Sequence, residues 1–269
     1  MGLTDVFGLT EPHLGEPDKP NEDAWVSRQS QDNLDVMVVA DGITRTRLSD
    51  GSYPEANGAI ASESFVKSVV KNLRTQGLTA ESVREAVSEA NKTIAEENKK
   101  AGLTRHTVDY QSRDYLGTTG CILGLQVDGK KHKAVFAYLG DVIAIYLPES
   151  GAPKLLTRDQ LHGCHQFSYN HFSKAQKAER LLWQRKEARN RRHAQDPHGN
   201  LVGFGAFTGE PEALDFLEVV ELEVQPGDRF ILSTDALRIA ANIGHKIHFR
   251  RLFSEDIFQF FFTWSDSRS

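Results

Sequence analysis

Cysteine is almost missing: Cys121 and Cys164 are the only two in 269 residues. Two thiols cannot build a disulfide framework, and such scarcity fits a reducing compartment. Cys121 lies inside an apolar run and reads as a small core residue. Long apolar runs are also lacking. Nothing approaches the roughly 20 residues that span a bilayer, so a membrane helix is not expected. The first residues, MGLTDVFGLTEPHLGEPDKP, have neither a basic start nor an apolar core. They are therefore not read as a signal peptide. Gly2 follows Met1, but Val6 stands where a myristoylation pattern needs Ser or Thr. An excess of positive charge is absent too. The net charge of -5 argues against a nucleic-acid protein, which is usually basic over its whole domain. His162, His165 and His171 are not spaced as a structural zinc site would require. There is no internal repeat and no low-complexity tract. The expectation is a soluble, cytoplasmic protein without a membrane partner; nucleic acid is an unfavoured partner, for which a basic helix at 174–192 would be the site.

What is present is ordinary for a globular domain: 39% apolar and 26% charged residues. Residues 24–29 and 34–40 read as a hairpin joined by turn residues. From Asn57 the period changes. Ile60, Phe65, Val66, Val69, Val70 and Leu73 form a helical stripe. Thr79 is the expected N-cap of a second helix that ends at Gly102. Three strands are expected next, over 118–127, 133–140 and 142–148. Their short turns point to one antiparallel meander. Residues 174–192 carry eight Lys or Arg against Glu179 and Glu187 and read as helical. We take 163–200 as a basic helical insertion, with a solvated face or a site for an acidic partner. A strand over 214–224, a turn at Pro226–Asp228 and a strand ending at Asp235 follow. Beyond it come a short helix and a last apolar strand, FQFFFTW. The whole of 1–269 reads as one domain.

Two of these strands end in an acid, LDVMVVADG at Asp41 and RFILSTD at Asp235. Glu22-Asp23 stands just before the first strand, and Asp141 lies in the gap between two others. Carboxylates gathered at strand ends repel one another unless a cation sits between them. Hard oxygen donors without a nearby His or Cys cluster favour magnesium or manganese over zinc. Gly42 would let a backbone carbonyl approach such an ion. An Asp after a strand is, by itself, more often a turn former than a ligand. The ordered series, not any one acid, carries the reading.

That series is NED at Asn21–Asp23, VVADG at Val38–Gly42, GTTG at Gly117–Gly120, YLGD at Tyr138–Asp141, LLTRD at Leu155–Asp159 and PGDRFILSTD at Pro226–Asp235. It resembles the metal-dependent protein phosphatases of the PPM type, the protein phosphatase 2C family. The resemblance runs over residues 15–161 and 203–240. It implies an α+β fold, a four-layer α-β-β-α sandwich of two antiparallel sheets flanked by helix pairs. It also implies two Mn²⁺ or Mg²⁺ ions held by Asp23, Asp41, the Gly42 carbonyl and Asp235, with Asp41 bridging. Asp141 with Asp235 would form a weaker third position, and Glu22 would hold a metal-bound water. The reaction implied is attack of a metal-activated water on a phosphoserine or phosphothreonine of a protein substrate.

Several positions depart from the family pattern. Asp18 replaces an Arg that often precedes NED, and Lys19 beside it is the candidate phosphate contact. Ile43 replaces a His that often follows DG. The S-D-G signature reads Thr234-Asp235-Ala236. The closing acid pair has only Glu255-Asp256 as a candidate, with Asp256 as the metal ligand. A second reading therefore stays open: a catalytically weak or inactive relative that serves as a binding or regulatory module.

Overall fold

The computed structural model of the chain describes residues 19–29, 34–46, 51–55, 57–128 and 131–235. The strands β1 (Asp23–Gln29) and β2 (Leu34–Gly42) pair antiparallel, as the alternation of the sequence leads one to expect. Helix α1 (Gly58–Gln76) opens at Asn57, whose side chain accepts from the Ala59 amide at 3.0 Å. Helix α2 (Ala80–Lys100) opens at Thr79, which exchanges hydrogen bonds with Ser82 in a capping box. Then come β3 (Thr118–Asp128) and β4 (Lys131–Leu139), β5 (Ile143–Leu147) and the two-residue β6 (Lys154–Leu155). Helices α3 (His162–His171) and α4 (Lys177–Trp183) follow, and the latter continues into a π turn over Gln184–Ala188. Strands β7 (Glu218–Glu223) and β8 (Arg229–Ser233) complete the described chain.

Two antiparallel sheets result. One has the order β1-β2-β3-β4-β7 and the other β6-β5-β8. Side chains alternate between faces along each strand, and the burial follows that alternation. Val36, Val38 and Ala40 of β2 join Ile122, Val135 and Ala137 against the apolar stripes of α1 and α2. The opposite face offers Met37, Val39, Cys121, Leu123, Phe136 and Tyr138. It packs on Ala144, Phe230 and Leu232 of the small sheet. On β5 and β8, Ile143, Ile145, Leu147 and Ile231 form a separate buried cluster. The α+β class with two antiparallel sheets and packed helices is thus as expected.

Three expectations are corrected. The strands at 118–127, 133–140 and 142–148 do not form one meander. β4 pairs with β7, whereas β5 pairs with β6 and β8 in the other sheet. The period-2 pattern specifies a strand's faces but not its neighbours. The strand expected from Leu214 begins at Glu218, because Pro211–Phe216 is a 3-10 helix. Finally, the basic segment is not one solvated helix. It changes from 3-10 to α to π winding and ends at Ala188, and Arg189 just beyond is 2% exposed. The expected terminal helix and strand, Glu255 and Asp256 included, lie outside the described residues. No helix among the described residues is long and apolar enough to cross a membrane.

Candidate metal centre

Strand pairing brings the first two acids together. In the β1–β2 ladder Asp23 stands opposite Asp41, and on the other side of β2 Asp41 stands opposite Thr119. Asp23 is also tied to the second sheet: the Thr234 hydroxyl donates to its carboxylate at 3.1 Å. Thr234 immediately precedes Asp235, so the end of β8 meets the start of β1. Asp141 occupies the short link by which the chain passes from β4 to β5. The Thr119 hydroxyl donates to Asp141 at 3.5 Å. The link turns at Gly140, whose φ of 99° is unfavourable for any side chain, and a Cβ there would collide with Thr119. Gln160 steadies it by accepting from the Gly140 amide at 2.9 Å and donating to the Phe216 carbonyl at 2.9 Å.

The electrostatics follow from that convergence. Burial first, and then the charges of Asp23, Asp235 and Asp141, push the Asp41 carboxyl well above the usual carboxylate range. Burial raises Asp23 too, opposed by the Thr234 hydroxyl, while Asp235 adds to the rise. The contact between the two carboxyls adds to the rise at Asp41 and opposes it at Asp23. Among the described residues no three His, Cys, Asp or Glu side chains are gathered as a formed ligand group. The acids lie within electrostatic reach of one another without closing into a cage. The donor set itself, carboxylates drawn from both sheets whose charges oppose one another, fits a hard divalent cation.

Glu22 is placed differently from Asp23. Its side chain points to the start of α1, where it accepts from the Gly58 amide at 2.9 Å and from the Thr44 hydroxyl. A carboxylate suits the positive end of a helix. Burial raises its pKa, and the Thr44 and Gly58 hydrogen bonds oppose the rise. Its carbonyl accepts from the Gly42 amide at 3.0 Å and from the Ser62 hydroxyl at 2.6 Å. Gly42 is needed for a close approach. A Cβ on it would lie 2.5 Å from the Glu22 carbonyl oxygen and 2.6 Å from the Gly58 carbonyl carbon. Lys19 lies within electrostatic reach of both Glu22 and Asp23. Ile43 packs towards Gly117, at 3.0 Å from where a Cβ there would stand.

Two features of the site had no reading in the sequence. Thr119 and Thr234 orient the acids; they stand in the GTTG and Thr234-Asp235-Ala236 motifs, which gave their hydroxyls no role. The other is a buried ion cluster beside the site. Asp114 is held by Arg189 through two bonds of 3.0 and 2.7 Å, and by Arg185 at 3.1 Å. Nothing in the local sequence marks Asp114, and the arginines belong to the segment expected to face solvent.

The sequence matches the protein phosphatase 2C family over residues 14–267. Comparison with curated protein sequences finds no match. The fold is similar to that of the catalytic domain of the serine/threonine protein phosphatase PstP in complex with two manganese ions. There the identity is 16%, 95% of this chain and 84% of that one are covered, and the TM-score is 0.52. It is similar to the serine/threonine phosphatase Stp1 from Staphylococcus aureus at 15% identity, covering 93% of this chain and 82% of that one, with a TM-score of 0.56. A serine/threonine phosphatase of S. agalactiae is similar at 16% identity, with 91% and 81% covered and a TM-score of 0.51. At such identities the likeness speaks for the fold alone. The family match spans nearly the whole chain, and its acids meet where two sheets join: the chain belongs to the protein phosphatase 2C family.

Proposed function

We propose that the protein hydrolyses phosphoserine and phosphothreonine in protein substrates with the help of Mn²⁺ or Mg²⁺. The observation that carries this reading is the convergence of Asp23, Asp141 and Asp235 on Asp41, whose charges together with burial raise the Asp41 pKa. Asp23, Asp41, Asp235 and the Gly42 carbonyl would hold two ions, and Asp141 with Asp235 a weaker third. When bound, such ions supply Lewis acidity, which makes a coordinated water acidic and neutralises charge on phosphoryl oxygens. The chain's own contribution is placement. The β1–β2 register sets Asp23 against Asp41, and Thr234 and Thr119 orient Asp23 and Asp141. Glu22 fixes the turn at Gly42 from below. Lys19 supplies a point charge for the substrate phosphate, without the fork that an Arg would offer. The two free, buried thiols are in keeping with a cytoplasmic setting. The test is hydrolysis of para-nitrophenyl phosphate and a phosphopeptide with added Mn²⁺. Activity that survives Asp41→Ala, or none in the folded full chain, refutes the proposal.

A second reading is favoured by one specific observation: the described acids do not form a closed ligand group. A binding or regulatory module on the same scaffold would take up Mn²⁺ weakly or at one site. Calorimetry separates the two, since the catalytic reading requires at least two ions bound.

A further inference from the structure

We propose that Arg185 is a positioning residue for the acid cluster. It clamps the loop after Asp41-Gly42 to the loop that leads into β3, and so holds Glu22 in place through Thr44.

The geometry begins at the π turn Gln184–Ala188, which carries Arg185. Such turns re-aim side chains and occur often near functional sites. The Arg185 side chain is 10% exposed, so its charge is largely withdrawn from water. Its Nε faces Asp114 at 3.1 Å. One terminal nitrogen, Nη1, donates to the Thr46 hydroxyl at 2.9 Å and to the Tyr110 carbonyl at 3.1 Å. The other, Nη2, donates to the Thr44 carbonyl at 3.5 Å. A single guanidinium thus joins three stretches that are remote in sequence: 44–46, 110–114 and the π turn.

Both anchors are firm. Asp114 is gripped bidentately by Arg189, and each is 2% exposed. Tyr110 adopts a φ of 61°, within a turn where Asp109 accepts from the Gln111 and Arg113 amides. The loop at 44–46 is the movable partner. Its Thr44 donates to Glu22, and Glu22 in turn receives the Gly58 amide and, through its carbonyl, the Gly42 amide. The path from Arg185 to the turn after Asp41 is therefore a continuous set of hydrogen bonds.

Stability alone does not account for the arrangement. Arg185 and Arg189 share one buried carboxylate, and Arg45 lies within electrostatic reach of it. Asp109 and Glu210 add more distant negative charge, yet burying three cations around one hydrogen-bonded carboxylate is costly, and apolar side chains of similar volume would serve packing better. A planar fork that reaches two loops at once has a geometric use that a point charge cannot copy.

The test uses the full chain as wild type, R185A, R185K, T44V and R185A/T44V. Its first arm is metal-free hydrogen exchange at the Gly42, Ile43 and Gly58 amides. It does not depend on catalysis. We expect R185A and R185K each to speed exchange there by about tenfold, with β3–β4 amides unchanged. Unchanged exchange at Gly58 and Ile43 overturns the proposal. So does a uniform acceleration that includes β3–β4, which is the mark of a merely structural residue. If R185A does not fold, R185K gives the same reading, and wild-type exchange in R185K also overturns it. The second arm rests on the phosphatase reading. With Mn²⁺ and para-nitrophenyl phosphate, R185A should lower kcat by about tenfold and leave KM within about twofold. R185A/T44V should be no worse than the poorer single variant, because both cut one path. Additive losses refute the path. A wild type without turnover refutes the phosphatase reading instead, and the exchange arm still decides the role of Arg185.

Discussion

Asp23 and Asp41 are direct cross-strand partners in the β1–β2 ladder. Two carboxylates in that relation oppose each other's ionisation, and a buried setting sharpens the conflict. Asp41→Asn removes the group whose ionisation the folded state opposes and keeps a donor for Asp23. In EDTA the variant should be more stable than wild type by about 1 kcal/mol, and more so at pH 8 than at pH 5. It should also lose Mn²⁺ binding by calorimetry. A variant that is less stable than wild type in EDTA at pH 8 would contradict this account of the pair.

The sign of the pH dependence follows from the same groups. Asp41 and Asp23 have folded-state pKa values above the ordinary 3.8, because burial and neighbouring charge favour the protonated form. Their stabilising contribution is full below 3.8 and is lost as pH rises through the raised folded values. Metal-free protein should therefore lose stability on going from mildly acidic to neutral pH, by more than Asp41→Asn does. Saturating Mn²⁺ should flatten or reverse that slope, since it favours the ionised acids. Urea melts at several pH values, with EDTA and with Mn²⁺, measure the effect. Identical slopes in wild type and Asp41→Asn would count against it.

Gly42 and Gly58 are in mutual backbone contact. A Cβ on Gly58 would lie 2.6 Å from the Gly42 carbonyl carbon and 2.8 Å from the Ile43 amide nitrogen. Backbone on both sides cannot swing away as a side chain could. Gly58→Ala should cost about 2 to 3 kcal/mol in urea unfolding, of the order of an overpacked core. It should also weaken Mn²⁺ binding, because the displaced turn carries Asp41. A loss of stability below about 0.5 kcal/mol would place that contact among the tolerant ones.

Asp114 is gripped by both Arg185 and Arg189, and it is 2% exposed. Asp114→Ala strands buried positive charge and should cost about 3 to 5 kcal/mol. Arg189→Ala should cost a similar amount, and the double variant much less than their sum. Equilibrium denaturation of the three variants checks this. Additivity would show that the pair is not a unit.

Periodicity made much of the large sheet readable. The alternation in LDVMVVA and the stripe from Ile60 to Leu73 encode faces, and faces are what burial selects. The partner of β5 was not readable. Its alternation is equally compatible with β4 and β8, and only the three-dimensional turn at Gly140-Asp141 decides between them. The 3-10 helix before β7 was hidden because Leu214, Phe216 and Leu217 also fit an alternating strand. The acids were visible as an ordered series, yet the hydroxyls that orient them were not, since a Thr in a strand is usually only a strand former. Arg185 and Arg189 show a further blind spot. A count of charges along a segment cannot tell a solvated cation from one buried against a distant Asp114.

The passage from β4 to β5 has a consequence for how such a chain can vary. Asp23 and Asp41 ride on one sheet, Asp235 leaves the other, and Asp141 sits on the seam. The cluster is in effect a vernier between the two halves of the sandwich. One residue inserted between Leu139 and Ile143 would invert every face of β5 and carry Asp141 out of register with Asp41. The seam is thus the place where length is least negotiable, and the long stretch between β6 and β7 is tied to it, since Gln160 holds the Gly140 link and Phe207 pairs with Thr118.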